Sequence, residues 1–215
     1  MNQCSLYLVS PPAIELHAFM PQLRAALSIG AVRAFQLRLK DASDEQLFEA
    51  AGEILPLCRA QDVAFILNDR ADLAAKMGAD GVHLGQDDMG VADAREIVGN
   101  ECVIGVSCHA SRHMAMVASE QGADYVAFGA FYPTSSKPKE KVEKWGIPSP
   151  DILEEWSTVT NIPCVAIGGI TAQNCAALVK KGADFIAAIT AVWNHEQGPA
   201  VAVQEFAEAM AMALA

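Results

Sequence analysis

The sequence has no CxxC pair, no G-x-G-x-x-G loop after its first apolar run, and no apolar stretch long enough to cross a bilayer. The longest such stretch, Phe185 to Trp193, is nine residues and includes Thr190, whereas a spanning helix needs about 20. The first residues, Met1-Asn2-Gln3-Cys4, lack the basic segment that opens an export signal. A soluble, cytoplasmic protein is therefore the expectation. Cations are also scarce: 15 Lys and Arg against 26 Asp and Glu, a formal net charge of −11. Such a surface repels phosphate backbones and anionic lipid, which argues against nucleic acid and membrane as partners. The six cysteines (Cys4, Cys58, Cys102, Cys108, Cys164, Cys175) are scattered, and four lie in or beside apolar runs. They read as reduced thiols that behave as small hydrophobes, not as a secreted disulfide framework.

Apolar residues, by contrast, are abundant at 52%, and charged ones make up 19%. Low-complexity linkers are absent, and 215 residues fit one domain spanning 1–215. Eight short apolar runs recur along it: Ser5–Val9, Ala34–Leu37, Ala64–Leu67, Gly81–Leu84, Val103–Val106, Tyr125–Phe128, Cys164–Ile167 and Phe185–Ala188. They are continuous, as strands of a parallel sheet are when both faces are covered. Between them lie stretches with helical spacing, such as Leu16, Phe19, Met20, Leu23 and Leu27, or Leu47, Ala50, Ala51, Ile54 and Leu55. A Gly-Ala-Asp repeat at Gly78, Gly122 and Gly182 marks three points where a helix ends and a strand begins. Ile29-Gly30-Ala31-Val32 is a looser fourth copy. Eight alternating units predict an α/β fold, a single (β/α)₈ TIM barrel, over a doubly wound sheet.

Barrel active sites lie at the C-terminal ends of the strands. The polar residues there are Gln36, Arg38 and Lys40; Asn68 and Asp69; His83, Gln86, Asp87 and Asp88; Ser107 and His109; Thr134, Ser135, Ser136 and Lys137; and Thr190. Arg38, Lys40 and Lys137 suit phosphate oxygens. Asp69 and Asp88 could share a Mg²⁺ ion with a substrate phosphate. Gly168-Gly169 offers bare backbone N–H groups where barrels commonly hold phosphate. Each has a plainer reading. Asp69 and Asp88 could cap helices, Arg38 and Lys40 could be solvated, and the glycine pair could be a turn. His83 reads as a hydrogen-bonded interior group, while His109, Arg112 and His113 read as facing solvent. Their coincidence at one rim favours a site for phosphorylated small molecules.

Several of these residues fall in longer motifs: Gln36-Leu37-Arg38-Leu39-Lys40, Asn68-Asp69, His83-Leu84-Gly85-Gln86-Asp87-Asp88, Gly105-Val106-Ser107-Cys108-His109, Tyr132-Pro133-Thr134-Ser135-Ser136-Lys137 and Ala166-Ile167-Gly168-Gly169-Ile170. In order and spacing, over about residues 5 to 193, they resemble the thiamine phosphate synthase (thiamine-phosphate pyrophosphorylase) family. The resemblance implies a transferase that joins hydroxymethylpyrimidine diphosphate to thiazole phosphate, releasing pyrophosphate with Mg²⁺. It assigns Arg38, Lys40, Asn68 and Lys137 to the diphosphate with Gln36 beside them, and Asp69 and Asp88 to the metal. Ser107 would meet the pyrimidine, and Thr134 and Ser136 the thiazole phosphate or carboxylate. Gly169 and the backbone of Ile189 and Thr190 would cradle the thiazole phosphate. Arg38, Lys40, Ser107 and Lys137 are the catalytic candidates, and nothing in the sequence opposes a homodimer.

The chain departs from the family at Leu39, where an acidic residue is frequent, and at Ser136 and Thr190, which keep a hydroxyl each. Ala130 replaces a common proline, which predicts a less rigid loop. A sister branch, the thiazole tautomerases, resembles the chain at Ile189-Thr190-Ala191-Val192-Trp193, but its acid/base histidine would fall at Ala130. A barrel that binds pathway phosphates without turnover is the other alternative. Lys137, Lys139, Lys141 and Lys144 crowd one irregular stretch, Tyr132 to Pro150, so the barrel mouth should be a positive exception on an acidic surface.

Overall fold

The computed structural model describes residues 4–134 and 144–215. Parallel strands β1 (Ser5–Val9), β2 (Val32–Leu37), β3 (Ala64–Asn68), β4 (Gly81–Leu84), β5 (Val103–His109), β6 (Tyr125–Phe128), β7 (Cys164–Ile167) and β8 (Phe185–Ala188) close into a barrel in sequence order. β1 pairs with both β2 and β8, so the ring has no free edge. Around it lie α1 (Leu16–Leu27), α2 (Asp44–Ala60), α3 (Ala71–Met77), α4 (Val91–Val98), α5 (Arg112–Glu120), α6 (Asp151–Val159), α7 (Cys175–Lys180), α8 (Thr190–Trp193) and α9 (Pro199–Leu214). This is the expected (β/α)₈ barrel. Among the described residues no helix is long and apolar enough to cross a membrane.

The continuous apolar runs arise because each strand feeds two cores at once. Alternate residues such as Leu6, Phe35, Phe65 and Phe128 pack outward under the helices. The others, including Tyr7, Ala34, Ile66, Tyr125, Val165 and Ala187, fill the lumen. All six cysteines are free and buried. Burial pushes the Cys4, Cys58, Cys108 and Cys164 thiols up to about 12, so they stay protonated and inert.

The Gly-Ala-Asp repeat does more than end helices. Gly78, Gly122 and Gly182 adopt positive φ, as a helix terminus in the left-handed region requires. The aspartate after each then accepts a strand N–H: Asp80 from Phe65, Asp124 from Ile104 and Asp184 from Cys164, at 2.7–2.8 Å. Arg59 and Arg95 brace the first two, each donating to the glycine carbonyl and the aspartate. Three strands outrun their apolar stretches, β3 by the single residue Asn68. β2 begins at Val32, with Arg33 pointing outward to Asp62. β5 continues through Ser107 to His109 because the upper lumen is polar.

Candidate active site

Each strand supplies one residue to the floor of a cavity of about 330 Å³ at the C-terminal end of the barrel. From β6, β7, β8 and β1 come Ala127, Ile167, Ala187 and Val9, and from β2 to β5 come Gln36, Asn68, His83 and Ser107. The floor is thus half apolar and half hydrogen-bonding, divided along the ring. A flat heterocycle can lie on one half while its polar edge faces the other. Around it the rim carries Arg38, Lys40, Asp69, Asp87 and Asp88 on one side and Gly168, Gly169, Ile189 and Thr190 on the other.

Gln36, Arg38, Lys40, Asn68, Asp69, Asp88, Ser107, Thr134, Gly169, Ile189 and Thr190 all border this one cavity. Ser136 and Lys137, with Lys139 and Lys141, lie outside the described residues. Arg38 is seated by a residue the sequence did not single out. Its backbone N–H donates to Ser10 Oγ at 2.8 Å, while Ser10 N–H donates to the Gln36 carbonyl. Leu39 packs against the outer core. Lys144 meets Asp87 at 3.8 Å, which offsets part of the cationic character expected of the mouth.

Neither Asp69 nor Asp88 caps a helix. Gly90 occupies the cap position of α4 and Arg70 that of α3, and neither makes a side-chain cap bond. Asp69 sits in the left-handed region at φ 65°, a conformation Asp tolerates better than most residues. Asp88 turns back so that its Oδ2 accepts the Gly85 N–H at 2.7 Å. The two side chains come close enough to share a hydrogen bond. Burial, then the bond and the negative charge of Asp88, raise Asp69 to about 6 against the pull of Arg38.

On the opposite rim, Gly168 and Gly169 are glycines for a packing reason as well. A Cβ on the first would fall on Ala130, and one on the second would meet the carbonyls of Tyr132 and Pro133. Asn174 ties the loop down: it accepts the Thr171 N–H and donates to the Gly169 carbonyl. Ala130 is buried, and its loop is held by Phe131 and Tyr132 N–H groups donating to Ile167 and Gly168 carbonyls. α8 is anchored by Trp193, whose indole N–H donates to the Val9 carbonyl at 2.7 Å and whose ring packs on Phe19 and Phe35.

His83 is the expected interior group, but His109 does not face solvent. It is buried, borders the cavity and stacks on Trp145 with ring centroids 4.9 Å apart and planes 4° from parallel. Its cover comes from a residue 36 positions later, so no local pattern predicts it. Arg112 and His113 are exposed as expected, with Arg112 paired to Glu155.

The family model described as Thiamine monophosphate synthase matches residues 6–192. The chain belongs to that family. A thiamine-phosphate synthase of Rhodospirillum centenum is 54% identical over 211 residues, covering 98% of this chain and 99% of the relative. One of Erythrobacter litoralis is 49% identical, covering 97% and 96%. Among solved structures, a thiamine phosphate pyrophosphorylase from Pyrococcus furiosus superposes with a TM-score of 0.85 at 31% identity, covering 100% of this chain and 98% of that one. A 3-hexulose-6-phosphate synthase from Salmonella typhimurium, at 13% identity and TM-score 0.68, shares the barrel fold alone.

Proposed function

We propose that this chain is a thiamine-phosphate synthase that joins hydroxymethylpyrimidine diphosphate to thiazole phosphate, forming thiamine phosphate and pyrophosphate. The observation that carries this reading is the division of one cavity between a cation-and-carboxylate rim and a glycine-and-hydroxyl rim. Two phosphorylated ligands can enter it and meet over a common floor.

In the reaction the bond between the pyrimidine methylene carbon and the diphosphate oxygen breaks, and the electron pair leaves with pyrophosphate. The thiazole nitrogen then supplies a pair to that carbon. Arg38 and Lys40 face the charge that develops on the leaving oxygens, and Asn68 donates to them. Ala127, Ile167, Ala187 and Val9 keep water from the cationic carbon. Gly169, Thr190 and the backbone of Ile189 hold the thiazole phosphate so that its nitrogen lies in line. Thr134 stands beside them, and Lys137 and Ser136 complete the set on the resemblance alone. No strong general base is required, and the alternative tautomerase chemistry would need one where buried Ala130 stands.

The donor set suits Mg²⁺. Asp69 and Asp88 are hard oxygen ligands from successive loops, and burial together with the nearness of Asp88 raises Asp69 to about 6. Among the described residues no group of three or more His, Cys, Asp or Glu side chains is placed to cage a metal. That matches an ion shared with substrate phosphate and water. When bound, Mg²⁺ supplies charge neutralisation for the departing diphosphate.

Pyrophosphate release tests the reading. The purified protein should release it only when both substrates and Mg²⁺ are present, and a chelator should abolish release. Tight binding of either ligand with no release would overturn the proposal in favour of a non-catalytic binding barrel.

A further inference from the structure

Beneath the polar half of the floor, two tyrosines reach across the lumen from strands whose own floor residues are apolar. Tyr7 of β1 and Tyr125 of β6 are buried, and their hydroxyls lie 2.9 Å apart. Gln36 Nε2 donates to Tyr7 Oη at 3.1 Å. Tyr125 Oη lies 2.9 Å from His83 Nδ1, and His83 Nε2 lies 2.8 Å from Ser107 Oγ. Five side chains from five strands thus form one unbroken chain whose two ends, Gln36 and Ser107, border the cavity.

The direction of its bonds follows from donor counting. Tyr7 already accepts from Gln36, and its one proton has Tyr125 Oη as the acceptor in reach. Were Tyr125 the donor instead, the Tyr7 proton would be stranded in a buried site, at a cost of about 1–3 kcal/mol. Tyr125 must therefore pass its own proton to His83 Nδ1. His83 then carries its hydrogen on Nε2 and donates to Ser107 Oγ. The Ser107 hydroxyl proton is left for the cavity.

We propose that Tyr125, which accepts the Tyr7 proton and passes its own on, is the positioning residue that fixes the Nε2–H tautomer of His83 and so makes Ser107 a donor toward the substrate. The ligand edge facing Ser107 must then carry a lone pair. A pyrimidine with an amino group beside a bare ring nitrogen satisfies this, and its oxo counterpart, with N–H at that nitrogen, does not. The reverse direction would select the opposite ring. This deepens the synthase reading, on which its specificity consequence rests.

The packing permits a clean test. Gly105 opposite Tyr125 leaves room for the ring, because a Cβ there would fall inside it. Tyr125→Phe and Tyr7→Phe keep both rings and remove one hydroxyl each. ¹⁵N NMR of the histidine ring in the ligand-free protein should show His83 as the Nε2–H tautomer in the wild type. Tyr125→Phe should populate both tautomers, whereas Tyr7→Phe, which leaves the Tyr125–His83 bond in place, should keep Nε2–H. In turnover, Tyr125→Phe should lower the preference for the amino- over the oxopyrimidine diphosphate by at least ~10-fold, the worth of one hydrogen bond. An Nδ1–H tautomer in the wild type, or a Tyr125→Phe spectrum and preference identical to wild type, would overturn the proposal. A wild type that binds but never releases pyrophosphate would sink the synthase reading instead, while the ligand-free spectra would still decide the tautomer.

Discussion

An Asp88→Ala variant removes one of the two carboxylates proposed to hold the metal without touching either core. Asp88 is exposed, and its Oδ2 accepts one backbone N–H, from Gly85. Water can take over that donor, so the stability cost should stay below about 1 kcal/mol. In a domain of this size that is a Tm shift of about 2–4 °C at most. Turnover should respond far more. A metal at a transferring diphosphate supplies several kcal/mol, and losing about 2.7 kcal/mol of it is a 100-fold loss at 1.36 kcal/mol per factor of ten. We expect kcat/KM to fall at least ~10²-fold, with the half-saturating Mg²⁺ concentration rising as well. Asp69 should meanwhile fall part of the way toward the ordinary carboxylate range: burial, the larger cause, still raises it, but the bond and charge of Asp88 have gone. The assay is pyrophosphate release over a Mg²⁺ series, with a thermal melt on the same samples. Wild-type kinetics at every Mg²⁺ concentration would remove Asp88 from the metal site and refute the reasoning.

Other outcomes follow from the same structure. Asp69, raised to about 6 from the ordinary 3.8, favours folding below pH ~3.8 and loses that contribution as pH climbs through about 6. Mg²⁺ replaces the proton, so it should raise Tm more at pH 7 than at pH 5; equal shifts at both would contradict this. Trp193→Phe strands the Val9 carbonyl and should cost about 1 kcal/mol. It should also raise KM for the thiazole phosphate more than for the diphosphate, as steady-state kinetics with each substrate varied would show. Asp124→Ala removes the acceptor of both Ile104 N–H and Arg95. It should destabilise by about 2–3 kcal/mol while leaving kcat at 20 °C unchanged, measured by denaturant unfolding beside the activity assay.

The strands were legible because their residues face two apolar environments at once, and a run such as Cys164–Ile167 has no polar interruption to blur its ends. β5 was cut short at Val106 for the opposite reason: Ser107 is polar because it belongs to the floor. Rim residues such as Arg38, Asp69 and Asp88 could be found by position, since the first two follow a strand directly and Asp88 lies four residues past the end of β4. The chain beneath the floor could not. Tyr7, His83 and Tyr125 are separated by 76 and 42 positions, and only the register of a closed ring brings their polar atoms together. His109 escaped for a similar reason, since Trp145 covers it from a distant loop. Asn174 left only a faint trace, as a hydrogen-bonding residue shortly after the glycine pair.

Asp184 does at the closure of the ring what Asp80, whose carbonyl accepts the Val103 N–H, does within it. Its carboxylate holds the first N–H of β7, while its carbonyl accepts the N–H of Ser5, the first residue of β1. The seam where the ring shuts is a four-residue ladder, Ser5 to Leu8 against Phe185 to Ala188, that starts beside this bond between chain segments about 180 positions apart. A breach there would turn a surface with no edges into a sheet with two, β1 and β8, each presenting unpaired backbone to neighbouring molecules. Resistance to aggregation in this barrel thus depends on that short ladder, whose foot lies at the end remote from the chemistry.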